Sequence, residues 1–400
     1  MATRVRSFSK VNLGLRIGPV RADGFHGLET LYQTLALHEV VTVSARRAVA
    51  GEAMRISLTT DHPRVPVDGR NTVWRMVERA LGAMGVAADV RVHLEKRLPV
   101  QGGMGAGSAN AAAALIGLER EMAGWEDAGP VLGEAERLRL AAEVGSDVPL
   151  FLVGGAVLGR GRGEMVEAMP DVTLGDGRGV PCVVAVPKVG VSTPFAFREW
   201  DALHGGRAGM GVPSGERVGV EGPELAAAEG AEGMAEAGAG EISGLTSPYA
   251  HDTLGKLSLA YSSDAVSADW GLKPGTSGIV DDHALKGISG PKWRGRRDDL
   301  AENTLLALVR TGIENDFEEV VFLHHPSLRE TKRLLMGEDS GQPAIYAALS
   351  GSGSALFGLY RTEGDARSAQ QRVQSSGPEA ILTETLTREE FWSRMFADRI

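Results

Sequence analysis

The sequence predicts an α/β (α+β) protein with more than one structured unit, and three observations carry that reading. Short β-rich segments at residues 11–17, 39–44 and 89–96 are interspersed with helical ones at 72–84, 108–122 and 134–144. Gly and Pro punctuate the junctions between them. The 400 residues divide into two to three domains at a prior of about 150 residues each. Residues 1–170 read as one unit. A β-rich segment at 180–186 opens a second, which covers 171–204 and resumes at 298–400 with helices expected at 301–310 and 326–336. Between them, 205–297 reads as an insertion. Its first half is dominated by Gly, Ala and Glu with few large apolar residues, a composition that cannot offset the entropy of ordering a chain.

Composition narrows the function classes. With 43% hydrophobic residues there is ample material for a core, and a net charge of −10 argues against a broad nucleic-acid surface. Cys182 is the single cysteine, which excludes an internal disulfide and an all-cysteine zinc site. No run of eighteen or more apolar residues and no signal-peptide pattern is present, so the expectation is a soluble, cytoplasmic enzyme with no membrane partner.

The most informative stretch joins the alternating strand Val90, Val92, Leu94 to an alanine-rich helix through Pro99, Val100, Gln101, Gly102, Gly103, Met104, Gly105, Ala106, Gly107, Ser108 and Ala109. Glycines let the backbone turn tightly and bring N–H groups against a ligand. The amides and dipole at a helix start favour an anion. Ser108 and Asn110 fall where the helix is expected to begin. The loop lacks the lysine of a P-loop, and its glycines do not fit the dinucleotide fingerprint. Phosphate binding is the reading preferred over a surface linker, because linkers rarely join a strand to an apolar helix.

Three further constellations carry chemistry. Lys10 and Asn12 fall on one face of a strand, with Val11 and Leu13 on the other. By itself such a lysine reads as a solvated charge. Asp147 stands between a helix end and an apolar segment expected to be a strand, where it is either a turn residue or a buried base held ionised by Lys10. Ser350-Gly351-Ser352-Gly353-Ser354 is a second small-residue loop inside structured sequence, either a linker or a backbone cradle near a phosphate.

Taken in order, Lys10-Val11-Asn12-Leu13, the loop from Pro99 to Asn110, Gly145-Ser146-Asp147-Val148-Pro149 and the Ser350 loop resemble the ordered motifs of the GHMP small-molecule kinases. Arg21-Ala22-Asp23-Gly24-Phe25-His26, Gly190-Val191-Ser192-Thr193 with Phe197, and Asn315-Asp316-Phe317-Glu318 are similar to elements of the branch that acts on a cytidine diphosphate sugar alcohol. The resemblance runs to about residue 198 and again from about 298 to 360, leaving the insertion uncovered. It implies a two-domain fold with the site in the cleft between domains, ATP and Mg²⁺ as cofactors, and phosphorylation of an alcohol. It also implies Asp147 as general base with Lys10 as its partner, the Pro99–Ala109 loop on the ATP phosphates, Phe25 and Phe197 stacking on cytosine, His26 on the base edge and Asn12 orienting the substrate. The metal ligands and oligomeric state stay open. A homoserine or mevalonate kinase type and a non-catalytic nucleotide-binding module are the competing readings; the first leaves Phe25-His26 without a purpose, the second Lys10 and Asp147.

Two departures stand out against the family's pattern. Ala109 replaces the second serine of Ser-Ser-Asn, which is expected to remove a hydroxyl near the phosphates, and Gln101 replaces a glycine.

Overall fold

A long antiparallel hairpin organises the molecule. β1 (Thr3–Val20) and β2 (His26–Arg47) pair along their length, with register shifts after Phe8, Asn12 and Ile17. In this computed structural model, residues 2–49, 53–99, 102–125, 131–174, 177–204, 309 and 312–397 are described. The 205–297 insertion, nearly all of the helix expected at 301–310, and loop residues Val100 and Gln101 lie outside the described residues.

The second edge of β2 is shared. β5 (Ala156–Arg160) takes Thr30 to Gln33, and β4 (Ala88–Glu95) takes Val40 to Arg47. β3 (Arg55–Thr60) lies parallel to β4, and β6 (Met165–Ala168) closes the far side, antiparallel to β5. The second sheet is antiparallel in the order β10-β7-β9-β8, built from β7 (Pro181–Val186), β8 (Tyr346–Leu349), β9 (Leu356–Leu359) and β10 (Glu379–Glu384).

Helices cover the first sheet. α1 (Thr72–Met84) buries Val73, Met76, Val77, Ala80, Leu81 and Met84, the stripe that a 3.6-residue period dictates. Asn71 caps its start by accepting from the Val73 N–H, and Gly85 ends it in the left-handed conformation. α2 (Ala106–Met122) is buried from Ala109 to Leu118, because it lies between the β1–β2 hairpin and α1. The run Ala111 to Ala114 lets it approach the sheet closely. α3 (Glu134–Val144) packs on α1 and α2 and delivers the chain to Asp147. α4 (Thr193–His204) packs on α5 (Phe317–His324), which lies on the second sheet with α6 (Pro326–Met336) and α7 (Glu363–Ser375); α8 (Arg388–Ser393) follows β10.

β1 threads three apolar clusters in turn. Val5 and Phe8 belong to the core under α1 and α2, Val11 and Leu13 to a middle cluster shared with Cys182, Val184 and Phe357 of the second sheet, and Leu15 to the core around Val183 and Phe317. The middle cluster fastens the two sheets together. Burial pushes the Cys182 thiol well up, so it stays uncharged and inert. The chain end does not stay with the second sheet. Leu386, Phe391 and Met395 return to the first core, and Arg6 N–H donates to the Met395 carbonyl at 2.7 Å.

Candidate active site

Lys10 and Asn12 share a face of β1, as strand alternation requires, but both are buried, so the lysine is not a solvated charge. Lys10 Nζ donates to Asn12 Oδ1 at 2.7 Å; Asn12 Nδ2 donates to Thr30 Oγ1 at 2.8 Å, and that hydroxyl to the Gly14 carbonyl at 2.8 Å. A buried ammonium needs a counter-charge as well as acceptors. Asp147 supplies it, with Oδ2 at 3.3 Å from Nζ.

Asp147 sits in a turn after α3, and the segment that follows is a 3₁₀ turn, Pro149–Leu152, rather than the strand expected from its apolar composition. Pro149 fixes the start of that turn, while Val148, Leu150 and Phe151 anchor in the first core. The aspartate is thereby held at the edge of packed structure with 31% of its side chain exposed. Its Oδ1 accepts the Tyr32 hydroxyl at 2.9 Å. Burial, and then the negative charge of Asp147, push the Tyr32 phenol well above its usual range, so it remains a neutral donor.

The glycine-rich loop arrives beside this group. Gly103 and Gly105 adopt φ of +75° and +70°, which an L side chain resists. A Cβ on Gly103 would lie 2.6 Å from the Ser350 carbonyl oxygen, and one on Gly105 3.2 Å from Lys10 Cε. The two small-residue loops therefore touch: Ser350 Oγ donates to the Gly103 carbonyl at 3.1 Å, and a Cβ on Gly351 would lie 3.9 Å from Lys10 Nζ. Gly105 is also the N-cap of α2, so the helix starts two residues before the expected Ser108, with no side chain over its first amides.

Three loop residues take other positions than the sequence suggests. Met104 is buried in the middle cluster, and its carbonyl accepts the Lys10 N–H at 3.1 Å, so its side chain is unavailable to a ligand. Ala109 packs in the first core, so the hydroxyl missing there would have faced the core. Asn110 turns inward, Nδ2 donating to Glu39 Oε2 at 2.8 Å. Glu39 is buried, paired with Lys96, and its Oε1 accepts the Leu98 N–H at 3.0 Å and the Arg97 N–H at 3.3 Å. One carboxylate thus ties the start of the loop to the second turn of α2. The sequence reading missed both Glu39 and Tyr32; Glu39 falls in a β-rich segment and carries no motif, while Tyr32 falls outside every segment and motif singled out.

At the turn end of the β1–β2 hairpin His26 stacks on Phe197, centroids 5.3 Å apart and planes 8° from parallel, and Phe197 meets the edge of Phe317 at 5.0 Å. Both imidazole nitrogens are engaged, Nδ1 with the Gly18 carbonyl at 2.8 Å and Nε2 with Asp201 Oδ1 at 2.8 Å. Phe25 stands apart from that stack, 54% exposed, with the Arg162 guanidinium 5.1 Å from its ring centroid. The Asn315-Asp316-Phe317-Glu318 element is a brace: Asn315 Nδ2 donates to the Leu349 and Gly351 carbonyls, Asp316 accepts from Ile17 N–H, and Glu318 accepts from Leu349 N–H. Thr193, at the start of α4, meets Ser352 hydroxyl to hydroxyl at 2.8 Å.

Residues 71–155 match the model of the GHMP kinases N terminal domain, and residues 298–379 that of the GHMP kinases C terminal domain. The chain belongs to the GHMP kinase family. Within it, the chain is similar to the 4-diphosphocytidyl-2-C-methyl-D-erythritol kinases of Rhodococcus jostii (40% identical over 201 residues, 50% of this chain and 59% of that one) and Nocardioides sp. (38% over 219 residues, 54% and 69%). The match spans 59% and 62% of the lengths of the Rhodococcus jostii and Salinispora tropica relatives. Among solved structures, a 4-(cytidine 5'-diphospho)-2C-methyl-D-erythritol kinase superposes with a TM-score of 0.55 at 24% identity, covering 96% of this chain and 98% of that one. A homoserine kinase from Cytophaga hutchinsonii gives 0.58 at 16%, covering 96% and 95%. Both are likenesses of fold.

Proposed function

We propose that the protein transfers the γ-phosphoryl group of ATP to the 2-hydroxyl of 4-diphosphocytidyl-2-C-methyl-D-erythritol, a step of the non-mevalonate route to isoprenoid precursors. The observation that carries the reading is the Lys10–Asp147 pair, 3.3 Å apart, beside two glycine-rich loops that touch. The names of the relatives supply the substrate.

Phosphoryl transfer asks for positioning and charge stabilisation rather than covalent catalysis. In this reading Asp147 takes the proton of the substrate hydroxyl, the oxygen attacks the γ-phosphorus, and the bond to the ADP oxygen breaks. Lys10 steadies the attacking oxygen while Asn12 orients it. The partly buried backbone around Gly103, Gly105, Ala106 and Ser108 and the exposed Gly107, together with the uncapped start of α2, would cradle the phosphates. Mg²⁺ neutralises charge on the phosphate oxygens when bound. Among the described residues no group of three or more His, Cys, Asp or Glu side chains forms a cage. The Ser108 hydroxyl, in the first turn of α2, would be the chain's candidate contribution to holding the cation.

Residues 1–170 would form the ATP-binding domain and 171–204 with 298–400 the second domain, except that the chain end from Leu386 to Met395 packs back on the first core. Among the described residues no helix is long and apolar enough to cross a membrane, which suits a cytoplasmic enzyme acting on a small molecule. The pyrimidine stacks on the exposed face of Phe25, and its edge replaces Asp201 at His26 Nε2, next to Phe197. A coupled assay of ADP release tests the reading: the diphosphocytidyl alcohol should be turned over and mevalonate and homoserine left untouched. Turnover of either of those without the cytidine compound would overturn it.

The base pocket makes a narrower expectation. Phe25→Ala should raise KM for the cytidine substrate by roughly two- to twelvefold from lost stacking alone, leaving KM for ATP unchanged. Initial-rate kinetics with each substrate varied in turn check this, and equal weakening of both would remove Phe25 from the pocket.

A further inference from the structure

We infer that Tyr32 is the positioning residue for the general base, holding one oxygen of Asp147 so that the other, on the Lys10 side, receives the substrate proton. The inference rests on the reading of Asp147 as base. The two carboxylate oxygens have different partners: Oδ1 accepts the Tyr32 hydroxyl at 2.9 Å, and Oδ2 lies 3.3 Å from Lys10 Nζ. A carboxylate on a surface turn turns freely about its last bond. One firm donor stops that rotation and selects the oxygen that faces the cation.

The surroundings keep the phenol in place. Tyr32 lies on β2 opposite Val157 of β5, almost fully buried, with Lys10 Nζ 5.4 Å from its ring centroid. A Cβ on Gly159 would lie 2.6 Å from Tyr32 Cε2, and one on Gly163 would lie 2.4 Å from the hydroxyl oxygen. Two glycines of the Gly159-Arg160-Gly161-Arg162-Gly163 run thus leave room for the ring and its oxygen. This close approach gives that run, which no nucleotide motif explains, a physical reason.

The charged and titratable groups around Asp147 are Lys10 from β1, Tyr32 from β2 and Glu164 from the β5–β6 turn, whose charge acts on the Tyr32 hydroxyl. Arg162 sits in the same turn, 3.9 Å from Glu164. Arg75 of α1 donates to the Val144 carbonyl at the end of α3. Losing a donor to its ionised form makes a carboxylate easier to protonate.

Tyr32→Phe keeps the packing and removes only the hydroxyl. It should lower kcat on the order of ten- to a hundredfold with unchanged KM for ATP, and move the acid limb of the kcat/KM profile to higher pH. An unmoved limb would overturn the inference, whether or not kcat falls, because a packing role alone leaves the limb in place. Gly159→Ala, at a position without the left-handed backbone of Gly163, pushes on the ring at Cε2 while keeping the tyrosine; it should move the limb the same way and covers the case of a poorly folding Tyr32→Phe. Asp147→Asn separates the two ideas: retained turnover in that variant would remove the base assignment itself. The infrared titration of the Asp147 carboxylate, read as the difference between protein with and without Asp147→Asn, gives a readout free of turnover. Its midpoint should rise in Tyr32→Phe, and a fixed midpoint would overturn the inference.

Discussion

Asp147→Asn is expected to lower kcat by about 10²- to 10⁴-fold, the usual cost of removing a general base. The substitution preserves shape and keeps an acceptor for the Tyr32 hydroxyl, so the turn anchored by Val148, Leu150 and Phe151 should survive. ATP binding should be largely intact, because the proposed phosphate cradle is backbone from another part of the chain. Single-turnover kinetics, with ATP affinity measured by titration, separate the two effects. A variant that keeps most of its kcat would show that positioning by Lys10 and the loops, and not proton abstraction, sets the rate.

Lys10→Met is expected to cost about 10²- to 10³-fold in kcat, the range seen when one preorganised donor to a developing charge is removed. Methionine fills the channel that the lysine stem occupies against Gly105, so the backbone contact from Lys10 N–H to the Met104 carbonyl should persist. What is lost is the ammonium. Asn12 Oδ1 then has no donor from Nζ, a desolvation cost of about 1 to 3 kcal/mol for a buried acceptor, and the melting temperature should fall accordingly. Asp147, partly exposed, is hydrated instead of stranded. Without the cation its ionised form is less favoured, so the acid limb of the rate profile should move to higher pH. Activity near that of the unaltered protein would exclude Lys10 from the reacting centre.

Local pattern was enough for much of this protein. Apolar periodicity located α1, α3 and α6 at their observed limits, because each buries a single stripe or ends at an unambiguous glycine. Alternation put Lys10 and Asn12 on one face of a strand, and the glycine pattern singled out both small-residue loops. These are properties of a few neighbouring residues, and sequence spacing reports them directly.

The long-range pairings were decided elsewhere. Tyr32 meets Asp147 across 115 positions, and Glu39 reaches Asn110 across 71. No local period encodes either. An apolar-looking segment after Asp147 became a 3₁₀ turn because Pro149 starts it and the first core holds its side chains. Met104 and Ala109 were lost to packing because β1 and the sheet beneath α2 leave their side chains no other place. The sequence alone determined which groups are present for the proposed phosphate binding and proton transfer. The closure of two sheets around β1 decided which of them face one another, because buried charge and buried backbone must find partners wherever the fold brings them.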